Sequence, residues 1–262
     1  MAELSFGRVR RTPTPLARAT VWLLTLVVIG LEIAYPLVHG DRRDRLTVAV
    51  VLAFAAVGLL HAAFWRGPGW ALGFAVLAAG VGFGVEAVGV ATGFPFGDYA
   101  YGDSLGSTLL DVPVVIPAAW VMMAYPALVV ARRLASGRPG QVLVGAWALA
   151  SWDLFLDPQM TDAGHWRWAH HSPHLPGIPD VPVTNFVGWL LVSIVLMLLL
   201  SALPRRRADD SAPITLWVWT WLSSTLAFAV FFDNGWVAVW GGVAMALVGV
   251  PLLVSLTARP AP

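Results

Sequence analysis

The segment Trp152-Asp153-Leu154-Phe155-Leu156-Asp157-Pro158 places two carboxylates four residues apart in an otherwise apolar run. On a helix, positions i and i+4 sit one above the other on a single face. Paired acids in dry surroundings can share a proton and deliver it as a general acid. An ionisable side chain inside an apolar span is costly, so it marks a functional site by default. The competing structural reading has Asp157 ending the helix before Pro158 and Asp153 bonded to a neighbouring helix. A third acid, Glu86, stands in an earlier, glycine-rich apolar run.

The elements that must position these acids follow from composition. Of 262 residues, 58% are hydrophobic and 12% charged, with 14 Trp, no Cys and no Lys. The mean hydropathy is +0.74. Together these values describe an all-α, polytopic integral membrane helix bundle, a multi-pass protein of the cell membrane whose main neighbour is the lipid bilayer. A net charge of +1, with Arg205-Arg206-Arg207 as the longest basic run, leaves nothing to track nucleic-acid phosphates. The absence of Cys excludes disulfides, thiolate metal sites and a cysteine nucleophile.

Apolar runs predict eight spans, at roughly 17–38, 46–65, 70–91, 113–134, 141–157, 183–203, 213–232 and 235–256, each near the length a bilayer core requires. The fifth and eighth are the least regular, and losing one would leave seven. With a cytoplasmic N-terminus, the inner segments carry Arg8, Arg10, Arg11, Arg18, Arg66, Arg132, Arg133, Arg138, Arg205, Arg206, Arg207 and Arg259. The outer segments carry only Arg42, Arg43, Arg45 and Arg167, so the positive-inside rule places both termini in the cytoplasm. The first run lacks a small-residue cleavage site and reads as an uncleaved span within a single transmembrane domain, 1–262.

Both long connections, 92–112 and 158–182, fall on the outer side, and ordered loops of that length usually carry function. Each closes on the same phrase: Asp111-Val112-Pro113-Val114 runs on to Trp120, and Asp180-Val181-Pro182-Val183 runs on to Trp189 with identical spacing. Helix capping by Asp ahead of a first-turn Pro explains the match on its own. The alternative is an internal repeat of span-loop-span units, 70–134 and 141–203. Under it, Glu86 lies 25 residues before Asp111, and Asp153 and Asp157 lie 27 and 23 before Asp180, so three carboxylates would converge near the outer face. Small residues at four-residue spacing, Gly80 with Gly84 and Gly89 with Gly93, predict close helix packing and room beside Glu86.

The first loop, Gly93-Phe94-Pro95-Phe96-Gly97-Asp98-Tyr99-Ala100-Tyr101, alternates aromatic residues with turn formers, a pattern suited to the mouth of an apolar pocket. Tyr99 and Tyr101 also suit an interfacial belt. The second loop holds His165, Trp166, Arg167, Trp168, His170, His171 and His174. With six His in the whole chain, it lacks the repeated histidine boxes of a membrane di-iron oxygenase, and no metal is expected. Asn185 opens the sixth span and needs a polar partner if buried.

Glu86 in its Gly-rich span, Gly93-Phe94-Pro95-Phe96-Gly97-x-Tyr99-x-Tyr101, Trp152-Asp153-Leu154-x-x-Asp157-Pro158, Gly164-x-Trp166-x-Trp168 and Asn185-Phe186-x-Gly188-Trp189 together resemble the carotenoid biosynthesis membrane-protein family. That family includes the carotenoid 1,2-hydratases, bisanhydrobacterioruberin hydratases among them. The chain departs from the family pattern where Gly177-Ile178-Pro179 is followed by an additional Val181-Pro182 before Asn185.

The resemblance implies addition of water to the terminal C1=C2 bond of an acyclic carotenoid end, of the lycopene, gamma-carotene or C50 bisanhydrobacterioruberin type, without a cofactor. Asp153, Asp157 and Glu86 would be the catalytic acids. Phe94, Phe96, Asp98, Tyr99, Tyr101, Trp120, Trp152, Trp166, Trp168, Asn185 and Trp189 would hold the carotenoid, with aromatic faces stabilising a cation by up to ~2 kcal/mol. Other carotenoid-pathway enzymes are conceivable partners. Two other classes compete. A membrane prenyltransferase would need Mg²⁺ on a diphosphate, two acidic motifs and phosphate-holding bases, whereas the chain has one Asp-x-x-x-Asp with only Arg167 and the loop histidines near it. A transporter or assembly partner would use the acids to line a water path.

Overall fold

A computed structural model of the chain describes residues 12–257. Arg8, Arg10, Arg11 and Arg259 of the arginine count lie outside the described residues. The described residues fold into eight α-helices: α1 (Pro15–Ala34), α2 (Asp41–His61), α3 (Pro68–Thr92), α4 (Ile116–Leu134), α5 (Arg138–Asp162), α6 (Val183–Leu200), α7 (Ser211–Val230) and α8 (Gly235–Thr257). Proline in the first turn opens α1, α3, α4 and α5, where its missing N–H costs nothing. Thr14 caps α1 by accepting from the Ala17 N–H at 3.2 Å. Gly93, at φ 75°, closes α3 in the left-handed region with its N–H on the Gly89 carbonyl.

Six of these helices are long and apolar enough to cross a membrane: α1, α2, α3, α6, α7 and α8, with α1 and α2 lengthened by the short turns that follow them. Their outward faces carry bare aliphatic side chains such as Leu26, Leu72, Val76, Leu226 and Leu247. Side chains like these, exposed along whole helices, belong in lipid. The remaining two, α4 and α5, form the centre. Every residue of α4 from Trp120 to Ala131 is buried. α4 packs against α2, α3, α5 and α7, and α5 packs against α6 and α8. Polarity is tolerated in these two helices because their neighbours, not lipid, surround them.

The two long loops carry six short strands: β1 (Tyr99–Tyr101), β2 (Thr108–Leu109), β3 (Val112–Pro113), β4 (Trp166–Trp168), β5 (His174–Leu175) and β6 (Ile178–Pro182). β2 pairs with β3 and β5 with β6, each inside its own loop. β1 and β4 join the two loops, antiparallel, with Tyr99 opposite Trp168, Ala100 opposite Arg167 and Tyr101 opposite Trp166.

Three local expectations are corrected. Asp111 and Asp180 do not cap helices: α4 starts at Ile116 behind Val115, α6 at Val183 behind Pro182, and neither has a side-chain cap. The residues after Asp111 enter β3 and Asp180 lies inside β6, so ladder pairing takes the backbone that a cap would need. Asp157 does not end its helix, because α5 continues through Pro158 to Asp162. Gly80 and Gly84 touch nothing, whereas Gly82 and Gly89 are the packed positions. Those two share a face with Glu86, at i−4 and i+3.

Candidate active site

Glu86 stands on α3 between its two packed glycines. A Cβ at Gly82 would collide with the Trp120 indole, and one at Gly89 would lie 2.8 Å from the Tyr99 hydroxyl. Those two rings are therefore admitted because glycine is there, and both are donors to Glu86. Tyr99 donates to Oε2 at 2.5 Å, Tyr101 to the same oxygen at 2.8 Å, and Trp120 Nε1–H to Oε1 at 3.0 Å. Burial first, and the Glu86 carboxylate second, raise both loop phenols above their ordinary value, so each remains a protonated donor.

Asp153 and Asp157 lie buried one turn apart on α5. Asn185, in the first turn of α6, donates through Nδ2 to both, at 2.9 Å to Asp153 Oδ2 and also to Asp157 Oδ2. Trp166 Nε1–H reaches Asp157 Oδ1 at 3.0 Å. Asp153 Oδ1 is buried with no partner among the described residues. Every donor to the three acids among the described residues is neutral. An amide, two indoles and two phenols stand where a structural ion pair would place Arg or Lys.

Strand geometry supplies the roof. Side chains alternate across a strand, so Tyr99, Tyr101, Trp166 and Trp168 turn inward while Ala100 and Arg167 turn out. Trp168 Nε1–H bonds the Phe96 carbonyl at 2.9 Å, the Ala169 N–H bonds the Asp98 carbonyl at 2.8 Å, and the Gly102 N–H bonds the His165 carbonyl at 2.8 Å. The first loop also rests on α6, where Gly188 leaves room for the Pro95 carbonyl and Phe96 comes 6.2 Å from Trp189. Trp189 stacks on Trp120 at 4.4 Å and meets Trp152 edge-on at 6.1 Å.

Beneath this roof lies a cavity with about 1330 Å³ of atom-free space, counting its open mouth, bordered by Glu86, Asp157, Asn185, Trp120, Trp152 and Trp189. Phe96, Tyr99, Tyr101, Trp166 and Trp168 border it as well, so most of the sequence-predicted site gathers at one place. Asp153 sits behind Asp157, joined to it through Asn185. Two predicted residues stay outside: Phe94 is 69% exposed, and the Asp98 side chain is exposed while only its carbonyl joins the roof.

The histidines separate from the acids. His170, His171 and His174 are exposed, His171 and His174 being bonded to the carbonyls of Trp168 and Leu175. His165 is buried in a clip, with Nδ1 2.6 Å from Ser104 Oγ and Nε2 3.8 Å from Asp44 Oδ1, which ties the roof to the start of α2. Burial lowers its pKa from the ordinary value, and Asp44 opposes part of that.

Sequence reasoning missed part of the cavity wall, formed by Glu32 near the end of α1, Tyr35 just after that helix, Thr47 on α2 and Ser223 and Ser224 on α7. The signal was available for Glu32, an acid in an apolar run like Glu86, but no motif surrounds it.

The family model described as "Carotenoid biosynthesis protein" matches residues 46–256, a stretch that contains all three site carboxylates and both loops. The chain is 33% identical over 138 residues to the bisanhydrobacterioruberin hydratase of Haloarcula japonica, a match covering 49% of this chain and 45% of that protein. The matched stretch thus spans less than half the length of this curated relative. No solved structure matches the chain. With the match running across most of its length, the chain belongs to the carotenoid biosynthesis protein family.

Proposed function

We propose that this protein is a cell-membrane hydratase that adds water across the terminal C1=C2 double bond of an acyclic carotenoid end. The observation that carries the reading is the set of three buried carboxylates, served only by neutral donors, beside an aromatic-walled apolar cavity. The family and the hydratase name of the Haloarcula japonica relative support it.

Two carboxylates bridged by one amide in a dry site share a single proton, because a second negative charge there would go uncompensated. That proton passes to C2 of the alkene and leaves a tertiary cation at C1. The faces of Trp152, Trp120 and Trp189 and the phenol of Tyr101 surround the place where that charge develops, an arrangement that stabilises it most when water is excluded. Glu86 holds the nucleophilic water, whose oxygen bonds to C1 and whose released proton returns to the carboxylate set. The sum is substrate plus water, with no electrons exchanged and no group left over. The Asp pair titrates as one unit, so the acid is the pair and not one named member.

The test is expression in a host that accumulates lycopene or another acyclic-ended carotenoid, followed by mass analysis of the pigments. A product heavier by one water is expected. Unchanged pigment in several such hosts with the protein present in the membrane would overturn the assignment.

A further inference from the structure

The wall of the cavity carries a polar group that the mechanism above does not use. Glu32, near the end of α1, borders the cavity, and its Oε2 is buried without a hydrogen-bond partner among the described residues. On α7 the Trp219 Nε1–H is likewise buried without a partner among the described residues, although Trp219 does not border the cavity. One turn along the same face of α7, Ser223 borders the cavity beside Ser224. Thr220 and Thr225 turn their hydroxyls back onto the carbonyls of Leu216 and Trp221, as helical Thr commonly does. Neither serine forms a hydrogen bond of that kind.

An orphan acceptor and free serine hydroxyls within one apolar cavity define what fits between them. The occupant must give a hydrogen bond to the carboxylate and receive one from a serine hydroxyl. An ammonium has no acceptor and a carbonyl has no donor, whereas a neutral hydroxyl has both. The neighbouring wall is Val50, Val51, Phe54 and Leu156, so an oxygen attached to hydrocarbon covers more of it than a lone water does. We propose that Glu32 and Ser223 form a second polar subsite of this cavity, one that binds the alcohol of an already hydroxylated isoprenoid end. Glu32 precedes the stretch matched by the family model, which begins at residue 46. The inference rests on the hydratase reading only for the kind of alcohol.

The experiment measures binding, not turnover. Purified full-length protein in lipid nanodiscs is titrated with an acyclic-ended polyene hydrocarbon and, separately, with its tertiary alcohol, following quenching of the protein's own tryptophans. Wild type should bind the alcohol about tenfold more tightly, the effect of one charge-assisted hydrogen bond. Glu32→Leu should erase that preference while holding hydrocarbon affinity within about twofold, since only the hydroxyl's partner is lost. Glu32→Gln, which keeps a neutral acceptor, should retain a smaller preference. Ser223→Ala should reduce the preference and serves as the readout if Glu32→Leu does not fold. An equal preference in wild type and Glu32→Leu, or none in wild type, would overturn the subsite. If water is the occupant, both polyenes bind wild type alike while Glu32→Leu slows turnover, which overturns the alcohol assignment. Failure of the hydratase reading leaves the binding difference standing, and absence of the binding difference leaves wild-type hydration of the hydrocarbon end standing.

Discussion

The molecule buries ionisable groups at both ends of the bundle and treats them in opposite ways. At the arginine-rich end, Arg66 bonds Asp210 at 2.6 Å and the Tyr125 hydroxyl at 2.7 Å, and His61 reaches that hydroxyl at 2.7 Å and the Asp209 carbonyl at 2.8 Å. Arg132 donates to the Leu200 and Leu203 carbonyls, and Arg206 to that of Arg66. Trp70 lies under both the Arg66 and Arg132 guanidinium groups. Beneath the loops, three carboxylates have no cation beside them among the described residues, and Asp153 Oδ1 has no hydrogen-bond partner there. Paired buried charge pins elements together: here Arg66 and Asp210 tie the α2–α3 corner to the connection before α7. Buried charge without an opposite partner beside a cavity pins little and is free to exchange protons.

Breaking the contrast from either side gives opposite phenotypes. Asp153→Asn should remove hydration by roughly 10²–10⁴-fold, the usual worth of a general acid, while the protein stays folded in the membrane. Pigment conversion and a melting curve measured on one preparation check it, and full conversion would sever the acid pair from the chemistry. Arg66→Met should do the reverse, lowering stability by about 3 kcal/mol by stranding Asp210 and Tyr125, with conversion per folded molecule little changed. A thermal shift close to zero would show that the arginine-rich end is not a structural latch.

The smallest effect concerns the clip at His165. Its pKa lies below the ordinary 6.5 because the ring is buried, so the unfolded chain binds a proton more readily than the folded one. The clip's contribution is therefore fully present above about pH 6.5 and is lost as the pH falls through and below that value. The melting temperature of wild type should drop more steeply between pH 7 and pH 5 than that of His165→Gln. Parallel profiles would place the clip's stability in packing alone.

Much of this site was legible because charge in an apolar run has few other uses. Asp153, Asp157 and Glu86 announce themselves by cost, Asn185 by being an amide at the head of an apolar helix, and the aromatic loops by density. The misreadings arise where the deciding partner is remote in sequence. Asp111 and Asp180 read as caps because pairing of the adjoining residues into strands cannot be seen from local residue types. Gly80 and Gly84 read as the packing pair because the face of α3 that meets Trp120 is set by tertiary structure. Glu32 was passed over because its counterpart across the cavity wall, Ser223, lies on a helix nearly two hundred positions away.

The pairing of β1 with β4 makes loop length a matter of parity. Tyr-x-Tyr faces Trp-x-Trp across three residue pairs, with all four aromatic rings on the inner side. Adding a single residue ahead of Tyr99 shifts the ladder by one, sends the rings outward and swings Ala100, or Arg167 if the shift falls in the second loop, into the site. Outer loops of membrane proteins ordinarily absorb insertions with little consequence. In this protein the two long loops are held to length by that pairing.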